Sequence, residues 1–177
     1  TFFEGGMVAH VAFGEPVCAG LAGTLASSGQ RLGSTLHRGG TYLCMEGPQF
    51  STKGESKLYR QWGVDVIGMT NMPEAKLARE AELCYATMAL ATDYDCWHET
   101  EEAVTVEAIL DTLHRNVALA KRILKSALPA VAGTQDCACH QALNYAVITD
   151  RKQVSAAVKK KLALLTRRVW SPKKGAR

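Results

Sequence analysis

The sequence predicts an α/β fold: a mixed, largely parallel sheet flanked by helices on both faces. Three observations carry this. Runs that are apolar nearly throughout, "GGTYLCMEG" (39–47), "VDVIGM" (64–69) and "CYATMALAT" (84–92), alternate with helical patterns. A strand with apolar residues on both sides is covered on both faces, the mark of a parallel sheet. Each run ends in a polar cluster, "EGPQFST", "MTNMPE" and "TDYD" in turn, and such sheets bind ligands beyond the carboxyl ends of their strands.

The helices have start and stop signals. Glu15-Pro16 opens a helical pattern that ends near Gly29, with proline in the first turn and glycine past the end. "STKGESKLYRQWG" begins with a Ser/Thr cap and stops at Gly63, a good terminal glycine. "MPEAKLAREAELC" starts at Pro73 and carries Glu74 in its first turn, where the helix dipole favours an acid. The longest helix runs from about Val104 to Leu128, with Val106, Ile109, Leu110, Leu113, Val117, Ala120 and Leu124 at helical spacing, and Pro129 ends it. A loop, "AVAGTQDCA", leads to a last helix from about Val154 to Trp170, striped by Val154, Val158, Leu162, Leu165 and Val169.

Composition narrows the function classes. The 177 residues are 47% hydrophobic and 21% charged, which fits one domain over 1–177 with a sizeable core and excludes disorder. No apolar run reaches the roughly 18 residues of a membrane span, so no membrane partner is expected. Six scattered cysteines fit reduced thiols and a cytoplasmic location better than a disulfide scaffold. The basic C-terminal helix and tail, 151–177, hold ten Lys or Arg and no acid, leaving eleven basic and seventeen acidic residues before them. A nucleic-acid surface is one reading of that tail. Its apolar stripe and single aromatic, Trp170, favour a docked helix with a solvated basic face. "TFFEGG" opens as if in mid-sequence.

The stretch "ATDYDCWHETEEAV" (91–104) poses the chemical question. Asp93 and Asp95 are one residue apart, so an extended backbone would point both to the same side. Two carboxylates on one side can accept from neighbouring donors on a flat heterocycle, and a close like-charged pair raises one pKa toward that of a general acid. A solvated turn, or a cap for the next helix, is the alternative. Phe50 could stack on a planar ligand or pack on the core. Ser51 and Thr52 could cap a helix or meet a ligand, with capping favoured for Thr52. Met69 and Thr70 lie between strand and helix, where N–H groups and a hydroxyl can meet an anion or a sugar. His10 reads as a core histidine or a ligand contact. Cys137-Ala138-Cys139-His140 has metal-like residue types without a second matching pair in the same loop, so two ordinary thiols are preferred over a zinc site or a redox pair.

"MEGPQFSTKGES", "DVIGMTNMPEAKLAREAELCYA" and "ATDYDCWHETEEAV", in this order, closely resemble the trimeric purine nucleoside phosphorylase family, and within it the branch acting on 5′-methylthioadenosine. The resemblance runs from about Gly6 to near Ala127; beyond Gly133 it weakens, although the Cys-x-Cys-His loop and closing helix look similar to bacterial members. It implies phosphorolysis of methylthioadenosine to adenine and 5-methylthioribose 1-phosphate, a step of methionine and purine salvage. Inorganic phosphate is then a co-substrate, with no metal, no organic cofactor and no nucleic-acid partner, and the assembly is a homotrimer. By the same resemblance Asp93 and Asp95 bind N7 and the 6-amino group as catalytic residues. Phe50 stacks on adenine, with Tyr94 beside it and Ser51 supporting that end. Met69 contacts the ribose and Thr70 the phosphate. Val106, Ile109 and Leu110 line the methylthio slot, and His10 reaches a neighbouring subunit's 5′ group.

Members of that family carry further residues before the part matched here, holding a glycine-rich phosphate loop and an arginine-bearing phosphate site, and neither occurs in these 177 residues. The chain therefore reads as a C-terminal segment, apparently lacking its N-terminal portion, which alone would associate and not catalyse. Two other functions are weighed against the adenine-selective enzyme: a phosphorylase for 6-oxopurine nucleosides or methylthioinosine, and a non-catalytic remnant. A 6-oxo group wants a donor such as Asn, so the paired aspartates argue for adenine.

Overall fold

The computed structural model describes residues 1–98, 106–131 and 137–170. In chain order these form α1 (Ala19–Arg31), β1 (Tyr42–Cys44), α2 (Lys53–Gln61), β2 (Val66–Gly68), α3 (Asn71–Glu80), α4 (Val106–Val131), a 3₁₀ turn (Ala138–Gln141), α5 (Ala156–Lys161) and α6 (Ala163–Trp170). They gather into two compact units, Leu21–Met72 with Thr87–Thr134, and Thr1–Gly20 with Pro73–Ala86 and Gln135–Arg177.

The first of these holds the parallel pair. β1 and β2 align Tyr42 with Val66, Leu43 with Ile67 and Cys44 with Gly68. The pairing continues past the strands, where the Met45 N–H donates to Gly68 O at 2.9 Å. Helix α2 makes the crossover that a parallel pair needs. Its start follows from sequence: the Thr52 hydroxyl accepts from the Glu55 N–H at 3.2 Å, and the Glu55 carboxylate accepts from the Thr52 N–H at 2.8 Å. This capping box satisfies two helix-end N–H groups at once. The helix stops at the expected glycine, Gly63, whose φ of 74° is the left-handed turn only glycine adopts freely. Ala26 and Gly29 of α1 are buried, as are Ala120, Ile123 and Ala127 of α4. A Cβ on Gly29 would lie 2.9 Å from Leu36 Cδ1 and 3.5 Å from Ile123 Cδ1, so a side chain here would make the tip of Leu36 give way.

The other unit closes around Phe3, Met7, Leu143, Ala146, Val154 and Leu162. Residues 8–10 run antiparallel to 146–148, with the His10 N–H donating to Ala146 O at 2.8 Å and the Ile148 N–H to Val8 O at 3.2 Å. The docked-helix expectation holds here. Val154 and Leu162 are buried, and Val158, Leu165 and Val169 pack against them. The basic face pairs with acids nearby, Lys161 with Glu4 and Arg168 with Glu82.

Four expectations are corrected. Residues 84–92 form no strand. Exposed and half-buried residues alternate from Thr87 to Thr92 as in a strand, but carbonyls of the run are taken by other partners: Tyr85 O by the Cys18 N–H at 2.7 Å and Ala91 O by Asn116 Nδ2 at 2.8 Å. Helix α1 starts at Ala19 instead of Pro16, because that bond holds Cys18 outside the helix. Helix α4 continues through Pro129 to Val131, because the proline forfeits only its own N–H bond near the last described turn and does not stop the helix at that residue. The closing helix is two helices, divided at Leu162 (φ −96°, ψ 9°), whose N–H turns back to Lys160 O and Val158 O. The expected start at Val104, most of the loop at 130–138 and the tail beyond Trp170 fall outside the described residues.

Candidate active site

The polar cluster after β1 and the one after β2 are in contact. Gly47 has a φ of 72°, and a Cβ there would stand 2.8 Å from Met69 Sδ, so the loop at 45–51 lies directly on Met69. That loop, with its cis Gly47–Pro48 peptide, also meets the third cluster: Cys96 Sγ donates to Ser51 O at 3.4 Å. The Ser51 hydroxyl faces Met45 Sδ at 3.9 Å. Three segments far apart in sequence, 45–51, 69–70 and 93–98, thus come together within one unit.

The third segment turns early. Its backbone bends at Asp93, and the His98 N–H donates to Asp95 O at 3.2 Å. Asp93 Oδ2 accepts from the Thr92 hydroxyl at 2.7 Å, and Asp95 Oδ1 from the Cys96 N–H at 2.9 Å. Among the described residues the second carboxylate oxygen of each makes no hydrogen bond, which leaves an acceptor on both. The aromatic residues brace the segment. Tyr94 stacks on His98 at 4.9 Å between centroids, Trp97 packs edge-on to both, and the Arg60 guanidinium of α2 sits 3.6 Å over the Trp97 ring. That cation–π contact fastens the segment to α2.

The single residues divide as follows. Phe50 is 84% exposed, so it is not a core aromatic, and its ring faces are open for stacking. Thr52 is the α2 cap, as expected, while Thr70 is exposed at the start of α3. Met69 is half-buried against Gly47. Leu110 is exposed in the first turns of α4; the side chains of Val106 and Ile109 lie outside the described set. His10 is exposed, not a core histidine. It lines an open cavity of about 620 Å³ with Arg79, Cys18, Cys137, Cys139 and Tyr145.

Two features of that unit were not foreseen. Arg79 clamps the loop before α1, donating to Ala12 O at 2.8 Å and Glu15 O at 2.5 Å. The Cys137-x-Cys139 pair does have a second pair, supplied by Cys18 and Cys84: all four Sγ atoms lie within 4.8 Å of one another. Their environments differ. Hydrogen bonds from the Cys139 N–H and thiol bring Cys137 down to about 7. Burial pushes Cys139 up to about 11 and Cys84 above the ordinary thiol range. Only spacing between segments, which sequence does not give, separates this cluster from isolated thiols.

The chain belongs to the phosphorylase superfamily, whose family model matches residues 1–129. Within it, the chain is 55% identical over 165 residues to S-methyl-5′-thioadenosine phosphorylase of Geobacter sulfurreducens, covering 93% of this chain and 58% of that protein. It is 56% identical over 169 residues to the protein of that name from Thermosynechococcus vestitus, with the same coverage. A crystal structure of methylthioadenosine phosphorylase from an antarctic soil metagenomic library superposes with a TM-score of 0.86 at 45% identity, over 93% of this chain and 58% of that one. Methylthioadenosine phosphorylase from Schistosoma mansoni in complex with adenine gives 0.65 at 28% identity, over 91% and 56%. The chain thus spans somewhat over half the length of the relatives it matches. Among the described residues no helix is long and apolar enough to cross a membrane.

Proposed function

We propose that this chain is part of an enzyme that cleaves 5′-methylthioadenosine with phosphate, giving adenine and 5-methylthioribose 1-phosphate. The observation that supports the proposal is that segment 45–51 meets Met69 at Gly47 and meets segment 93–98 where Cys96 Sγ donates to Ser51 O, these being the segments that carry Phe50, Thr70, Asp93 and Asp95. Phe50 and Tyr94 hold the faces of the base, Met69 the ribose and Ser51 the far end of the base site. Asp93 and Asp95 take the 6-amino group and N7 between them. Val106, Ile109 and Leu110 form an apolar slot for the methylthio group. His10 serves the 5′ end of a neighbouring subunit's site in a cytoplasmic homotrimer. Of the phosphate site, this chain supplies Thr70.

The chemistry follows from charge. As the C1′–N9 bond breaks, its electron pair moves to the purine and positive charge builds on the sugar. A carboxyl at N7 gives the purine a proton, so the base leaves neutral. Phosphate oxygen bonds to C1′ from the opposite face, and the proton that adenine gains comes, net, from hydrogen phosphate. The reaction then needs positioning and electrostatics, with phosphate as co-substrate and no organic cofactor.

The test uses the complete enzyme. Asp93→Asn with Asp95→Asn is expected to abolish methylthioadenosine phosphorolysis, and either change alone to lower it at least ~10-fold, since one charged hydrogen bond is worth about 1.5–3 kcal/mol. Near-normal turnover by the double variant, with an unchanged melting temperature, would reduce the pair to turn residues.

A further inference from the structure

We propose that Cys18, Cys84, Cys137 and Cys139 form a structural site for a thiophilic divalent cation, zinc in the first place. The four sulfurs lie within 4.8 Å of one another, and Cys18 Sγ is 3.7 Å from Cys137 Sγ. A tetrahedral four-thiolate site with metal–sulfur bonds of about 2.3 Å sets its sulfurs about 3.8 Å apart. Mutual proximity of all four is what a tetrahedron needs. Two disulfides would need only pairwise proximity, at about 2.0 Å within each pair.

One loop supplies a close pair, Cys137 and Cys139, whose single intervening residue is tighter than the two to four usual in structural zinc sites, and Cys18 and Cys84 come singly from two other stretches. Cys137 and Cys139 flank the start of the 3₁₀ turn, Cys18 directly precedes α1 and Cys84 follows α3. These are the three separate stretches that make up their unit, so one ion would clamp all three. Second-shell support is at hand. His140 Nδ1 meets Glu82 O at 3.0 Å, which fixes the ring and directs Nε2 to within 3.9 Å of Cys84 Sγ. Metal ligands commonly have such outer partners. With four protein ligands and no open position, the ion would hold the fold together and take no part in the reaction. The binding releases the thiol protons to solvent and changes no oxidation state.

The full chain would be purified without a metal-affinity tag, under reductant, and equilibrated with stoichiometric zinc. One zinc per chain is expected by elemental analysis. Cys44 and Cys96 should react at once with a thiol reagent, and the other four of the six cysteines only after chelation. Cobalt substitution should give the intense visible bands of a tetrahedral thiolate site. Chelation should lower Tm by about 8–16 °C, the shift for a ligand held near 1,000 times its Kd in a domain of this size. Cys137→Ser with Cys139→Ser should lose the metal and Cys44→Ser should keep it; if the double variant fails to fold, the cobalt spectrum of the unsubstituted chain decides. No retained metal with all thiols reactive, or a mass short of the thiol hydrogens as disulfides require, would overturn the proposal.

Discussion

Asp93 and Asp95 each commit one oxygen to their own turn, and among the described residues the other oxygen of each makes no hydrogen bond. The sequence argument placed them side by side on extended backbone; the bend at Asp93 replaces that geometry with a braced turn. What was legible was the residue types, because two acids, an aromatic and a hydroxyl at run ends are read directly. The bracing was not, because Trp97 finds its partner in Arg60, 37 positions earlier. Phe50 gives the cleanest test at this scale. Its ring is 84% exposed, so removing it forfeits little packing. Phe50→Ala is expected to leave Tm unchanged and to raise KM for methylthioadenosine about 5–100-fold, the range of one lost base–aromatic stack. A fall in Tm with KM unchanged would make Phe50 a packing residue.

At the scale of elements, the capping box predicts a pH signature. The Thr52 N–H and hydroxyl hold the Glu55 carboxyl below its ordinary value of 4.5. A lowered pKa in the folded state means stability present above the ordinary value and lost as pH falls through the folded one. Thr52→Ala is expected to lower Tm by about 2–4 °C at neutral pH, with the deficit shrinking in acid. A deficit constant down to strong acid would mean that the Glu55 bonds contribute nothing. Leu110→Asp, on the opening turns of α4, is expected to erase the preference for methylthioadenosine over adenosine, which one small apolar group sets at about 1–3 kcal/mol. An unchanged ratio of kcat/KM for the two substrates would remove α4 from the slot. Helices with caps were readable to within a few residues, since Thr52, Gly63 and Pro73 act locally. The run at 84–92 was not, because a strand exists only by its neighbours, and here Cys18 and Asn116 take the bonds a ladder would use.

For the whole molecule, the described part of the basic stretch after Asp150 is a docked segment: its stripe docks on Phe3, Met7 and Leu143, and two of its cations pair with Glu4 and Glu82. Parallel strands are ordinarily covered on both faces, yet Val66 is exposed in β2, as are Leu58 and Trp62 in and after α2. Residues 1–177 expressed alone are therefore expected to self-associate through these surfaces, as light scattering would show. A monodisperse monomer would show that they need no cover. The central claim is adenine-selective phosphorolysis, and a competition measures it directly: the complete enzyme is given equal methylthioadenosine and inosine, with and without phosphate, and the released bases are separated. Adenine alone, and only when phosphate is present, is the expected result. Hypoxanthine as the main product, or base release that ignores phosphate, would contradict it.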